Sequence, residues 1–124
     1  MNNDKTIMIC DDDAGILEML AIILEDSGYQ VIAEQNSLNL YSLIEKTMPD
    51  LLLLDLWMPV LSGDQVLVHL RSQPETAGLP VIVLSASTDG AEIASKAGAT
   101  GYIAKPFDID HLLDGIEGVL TVSS

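Results

Sequence analysis

Positive charge is scarce in this chain. Five Lys and Arg stand against 19 Asp and Glu, a formal net charge of 5 − 19 = −14. Such a balance repels phosphate backbones and anionic lipid, so direct binding to nucleic acid or membrane is not expected, and proteins and cations are the expected partners. Cysteine is limited to Cys10, which excludes an internal disulfide. Set in the run Ile7-Met8-Ile9-Cys10, it reads as a small core residue. No apolar run approaches the length of a membrane span, and Met1-Asn2-Asn3-Asp4-Lys5 lacks the apolar stretch of a signal peptide. A cytoplasmic location is the expectation. No glycine-rich phosphate cradle opens a helix, so ATP is not an expected substrate.

What is present is enough for a core: 48% of the 124 residues are apolar. That length fits one domain, 1–124, with a core over about 5–120. Thr6 to Cys10, Gln30 to Glu34, Leu51 to Asp55, Val81 to Ser85 and Gly101 to Ala104 read as strands. Three of them are almost wholly apolar, the pattern of strands covered on both faces. Between them lie helical patterns over Ala14 to Ser27, Leu38 to Lys46, Asp64 to Ser72, Asp89 to Ala97 and Asp108 to Leu120. Asp13 is placed to cap the first and Asn36 or Ser37 the second, while Gly28 and Gly98 supply stops. The fourth helix is the weakest, with Ile93 its only large apolar anchor. Thr121 to Ser124 reads as a frayed tail or the start of a linker. Five strands alternating with five helices predict an α/β fold: a doubly wound parallel sheet with helices on both faces.

Ligand sites in open parallel sheets gather beyond the carboxyl ends of the strands. The residues there are Asp11 and Asp12, Asp55, Ser85 and Lys105. A carboxylate after Leu51 to Leu54 is costly inside a sheet and belongs where the strand leaves the core. Three acids in one place repel one another unless a cation compensates. Oxygen donors without a His or Cys cluster favour Mg²⁺ over zinc. Three carboxylates, one Mg²⁺ and one Lys sum formally to zero, so an incoming phosphoryl group meets no net repulsion.

The acidic pair after the first strand, together with LLLLDLWMP, VIVLSAS and YIAKPF, resembles the receiver domain of response regulators over essentially the whole chain. The resemblance implies a flavodoxin-like sheet of order 2-1-3-4-5. It also implies a switch in two-component signalling, where Asp55 accepts a phosphoryl group from a histidine kinase or phosphotransfer protein. Asp11, Asp12, Asp55 and the main-chain carbonyl of Trp57 would hold Mg²⁺. Lys105 would neutralise a phosphoryl oxygen, with Pro106 after it in a cis bond. Ser85 would hydrogen-bond the bound group, and Tyr102 would follow that movement. Output would pass to a downstream protein through the face of the last two helices, and a phosphorylation-dependent dimer is compatible with it.

Two features depart from the family pattern. The segment from Ser85 to Tyr102 is slightly short, and Trp57 is bulky for its position. A ring there would shield the acyl phosphate from water. His69 and His111 fall in helices away from the site and read as surface or partly packed residues. Two rival readings remain open on sequence. One is an aspartyl-phosphate phosphatase, which wants an acid where Trp57 stands. The other is a receiver-like interaction module that works without phosphate.

Overall fold

A computed structural model describes residues 5–123 and forms the expected alternation. Its elements are β1 (Thr6–Cys10), α1 (Ala14–Asp26), β2 (Gln30–Glu34), α2 (Leu40–Thr47), β3 (Leu51–Asp55), α3 (Gly63–Ser72), β4 (Val81–Ser85), α4 (Gly90–Ala97), β5 (Gly101–Ala104) and α5 (Ile109–Ser123). All strand pairs are parallel, in the order β2-β1-β3-β4-β5.

Alternation along the strands divides the core into two layers. Ile7, Ile9, Leu51, Leu53, Ile82 and Leu84 pack with Leu17, Leu20 and Leu24 of α1 and with Leu112 and Ile116 of α5. Met8, Cys10, Leu52, Leu54, Val81 and Val83 face the other way, against Leu40 and Ile44 of α2, Val66, Leu67 and Leu70 of α3, and Ala94 and Ala97 of α4. β3 and β4 are buried at every residue, which is why their sequences lack a polar face.

The helix ends follow local chemistry. The Asp13 carboxylate accepts from the backbone N–H groups of Gly15 and Ile16, capping α1. Asn36 accepts from the Leu38 N–H and opens a single 3₁₀ turn, Ser37–Asn39, so α2 begins two residues later than the periodicity suggests. Gly28 and Gly98 take positive φ values of 99° and 101° just past α1 and α4. α4 is anchored less by Ile93 than by the buried Ala94 and Ala97, whose small side chains let it lie close to the sheet. The reading of Thr121 onward as a tail is corrected over the described residues. α5 continues to Ser123, and the Thr121 hydroxyl donates to the Glu117 carbonyl at 2.8 Å. Among the described residues no helix is long and apolar enough to cross a membrane.

Candidate functional site

Register places the acids. β1 and β3 pair with Ile7 opposite Leu51 and Cys10 opposite Leu54, so one further step sets Asp11 beside Asp55. These two strands flank the point where the order of connection reverses, the place where open α/β sheets form their clefts. Ser85 lies opposite Ala104, and Lys105 is the next residue. The carboxylates of Asp11, Asp12 and Asp55 each offer an oxygen within 4.8 Å of the others. Lys105 Nζ donates to Asp11 Oδ2 at 3.0 Å and to Asp55 Oδ1 at 3.1 Å. The Lys105–Pro106 bond is cis.

Asp11 and Asp55 are buried, whereas Asp12 is open to solvent. Burial, then repulsion from Asp11, pushes the Asp55 carboxyl up to about 6 against the opposing pull of Lys105. Burial alone would lower the Lys105 ammonium, but its bonds to Asp11 and attraction to Asp55 outweigh that and hold it above its ordinary value. Three carboxylates and one ammonium sum to −2, and repulsion from Asp11 adds to burial in raising Asp55. All the donors are oxygens. Cys10, one residue before Asp11, is pushed up to about 12 by burial and the surrounding acids, so it offers no thiolate. The group could hold a hard, oxygen-seeking cation.

The other expected residues surround this centre in different ways. Ser85 is buried at the end of β4, but its hydroxyl bonds to the hydroxyl of Ser87 at 2.9 Å and accepts from the Ser87 N–H at 3.1 Å. Tyr102 is half-buried, and its hydroxyl donates to the Ser85 carbonyl at 3.1 Å. Trp57 is 52% exposed, in the loop after β3. Met58 beside it points inward and accepts the Cys10 S–H at 3.7 Å. His69 lies away from the acids and stacks on Tyr41, ring centres 4.3 Å apart.

Sequence reading passed over Ser87 and Gly63. Ser87 was legible as a second hydroxyl two residues beyond Ser85. Gly63 opens α3, its N–H donating to the Leu56 carbonyl at 2.7 Å. A Cβ there would collide with the Asp55 carbonyl, so glycine is what lets α3 close over the end of β3.

A model of the response regulator receiver domain matches residues 7–117. The chain belongs to that family. It is 32% identical over 124 residues to sporulation initiation phosphotransferase F of Bacillus subtilis, covering 100% of this chain and 99% of that protein. It is 36% identical over 118 residues to the phosphate regulon transcriptional regulatory protein PhoB of Pseudomonas aeruginosa. There the match covers 94% of this chain but only 52% of PhoB, so the chain spans about half the length of that relative. The receiver domain of Francisella response regulator 1452 superposes with a TM-score of 0.89 at 28% identity, covering 98% of this chain and 100% of that one. The receiver domain is a signalling domain of two-component systems, which works with histidine kinases or phosphotransfer proteins. Because relatives include transcriptional regulators, the expectation of no nucleic-acid partner rests on this chain's charge alone.

Proposed function

We propose that this receiver domain takes a phosphoryl group on Asp55 from a phosphohistidine and passes the change to a protein partner through the surface around α4, β5 and α5. The observation that carries the reading is the bridge of Lys105 across Asp11 and Asp55 beside an exposed Asp12. An Asp55 oxygen attacks phosphorus in line with the leaving imidazole, so an O–P bond forms as the P–N bond breaks. Lys105 already lies within hydrogen-bond reach of the nucleophile and is placed to meet charge on a phosphoryl oxygen. Asp11, Asp12, Asp55 and the Trp57 carbonyl are the residues that would hold Mg²⁺, which would supply neutralising charge to the incoming phosphoryl group. The Ser85 hydroxyl, paired with that of Ser87, would donate its proton to the new group, and Tyr102, bonded to the Ser85 carbonyl, is positioned to register that change.

The phosphatase rival needs an acid two residues after the nucleophile, and the half-exposed Trp57 occupies that position. The test is incubation with Mg²⁺ and a small acyl phosphate, or with a phosphorylated phosphotransfer domain, followed by intact mass. One phosphate is expected on the unaltered chain and none on Asp55→Asn. A gain that survives Asp55→Asn, or none from either donor, overturns the reading.

A further inference from the structure

Tyr102 turns its ring against the first turn of α4, where its hydroxyl donates to the Ser85 carbonyl at 3.1 Å and more weakly to the Ser87 carbonyl at 3.5 Å. Residue 90, which opens α4, leaves it the room. A Cβ built on Gly90 would lie 2.7 Å from the Tyr102 hydroxyl oxygen, 3.0 Å from its Cε1 and 3.1 Å from Ser85 Cβ. Close-packed interiors do not absorb such contacts without a shift, and the free end of a tyrosine ring moves more easily than the end of a buried strand.

Backbone conformation does not call for glycine here, because Gly90 is not among the positive-φ residues. Glycine also weakens a helix relative to alanine, in an element only eight residues long. The space it leaves is therefore its structural contribution. The two ends of α4 are held unequally. Beyond its C-terminus, Arg71 Nε donates to the Gly98 carbonyl at 2.9 Å, tying that end to α3. At the N-terminus Asp89 makes no side-chain capping bond.

We propose that Gly90 is the positioning residue for Tyr102: its missing side chain is the seat that lets the ring lie inward over Ser85. Movement of the less firmly held end of α4 about the Arg71-tied end would open or close that seat. The link from the seat to phosphorylation rests on the function proposed above; the seat itself does not.

The experiment uses the full chain carrying fluorotyrosine and reads ¹⁹F NMR without phosphate. Three tyrosines are present, and Tyr102→Phe assigns the relevant signal. Gly90→Ala is expected to shift the Tyr102 signal and make it several-fold more sensitive to a soluble paramagnetic broadening agent. Tyr29 and Tyr41 should stay unchanged and so report an intact fold. Gly118→Ala, where a Cβ meets nothing within 4 Å, is expected to leave Tyr102 as it was. A Tyr102 signal in Gly90→Ala that keeps its original shift and protection overturns the proposal. If Gly90→Ala does not fold, its combination with Tyr102→Ala is expected to melt at or above Tyr102→Ala alone. A double variant as unstable as Gly90→Ala overturns the proposal equally. Failure of these readouts removes the seat alone, whereas a chain that takes no phosphate on Asp55 removes the phosphoacceptor reading alone.

Discussion

Lys105 Nζ lies 3.1 Å from Asp55 Oδ1 while also holding Asp11 at 3.0 Å, so acids at the ends of two adjacent strands share one ammonium. Lys105→Met keeps the apolar stem and removes that charge. Both acids are buried, so losing their partner is expected to cost about 1–3 kcal/mol at pH 7.5, the range for a buried acceptor left unsatisfied. The Asp55 carboxyl should rise further, and the loss should shrink on acidification as it takes up a proton. Phosphorylation by a small acyl phosphate is expected to slow roughly a hundredfold, as for removal of one preorganised donor. Thermal melts across pH and initial rates by intact mass check both; an unchanged rate removes Lys105 from the chemistry.

Asp55 itself should make stability depend on pH. Its folded value, about 6, exceeds the ordinary 3.8, so between these limits the folded state binds more protons than the unfolded state. Stability from this group therefore falls as pH rises through that window and stays low above it. Asp55→Asn removes the effect. The variant is expected to melt above the unaltered chain at pH 7.5 in EDTA, and the two should converge near pH 4. Millimolar Mg²⁺ should reverse the order at pH 7.5 by stabilising the chain that retains all three acids, and this gain should fade below about pH 6 as protons compete for Asp55. Equal melting temperatures at pH 7.5 in EDTA would contradict the raised Asp55 carboxyl.

How much of this was legible follows from what each feature depends on. The strands and Asp55 could be read because an apolar run with no polar face is the direct consequence of burial on both sides. The meeting of Asp11 with Asp55 was expected because both follow apolar strands whose carboxyl ends share a ligand site, but the register of β1 and β3 that sets them side by side has no local pattern. Ser85 was foreseen on the phosphoryl group, but its engagement with Ser87 needed a turn geometry that two polar letters do not convey. Gly63 and Gly90 were invisible for a related reason. Their importance lies in what approaches them, the Asp55 carbonyl and the Tyr102 ring, which come from other parts of the chain.

Arg71 is the chain's only arginine, and it drew no notice in the sequence because its shortest bonds are to main-chain carbonyls. Its guanidinium donates to the carbonyls of Gly98 at 2.9 Å, Leu79 at 2.7 Å and Thr76 at 3.3 Å, joining α3 to the loops that lead into β4 and β5. Lysine has one nitrogen and cannot reproduce that fork. Arg71→Lys is therefore expected to destabilise the fold by about 1–3 kcal/mol, since carbonyls lose donors in a part-buried place. Denaturant melts should show a lower midpoint. Hydrogen exchange should show the largest loss of protection at Gly98 to Thr100. A uniform loss over the whole chain would argue against a local clamp.

Trp57 is the only tryptophan, two residues after Asp55, and its neighbour Met58 is fastened inward by Cys10. Because Met58 takes the inner position, Trp57 is left outward and half exposed in the loop that borders the acids. An indole there excludes water and offers no carbonyl or amide pair to orient one, whereas asparagine offers both. Hydrolysis of an acyl phosphate needs a water in line with the bond, so Trp57→Asn is expected to shorten the phosphoryl lifetime on Asp55 several-fold. Loading by acyl phosphate should stay close to that of the unaltered chain, since neither Lys105 nor an acid is touched. Decay is followed by intact mass after removal of the donor. Equal decay rates would show that the ring does not shield the phosphate. A slower decay in the asparagine variant would mean that the indole favours attack by water rather than hindering it.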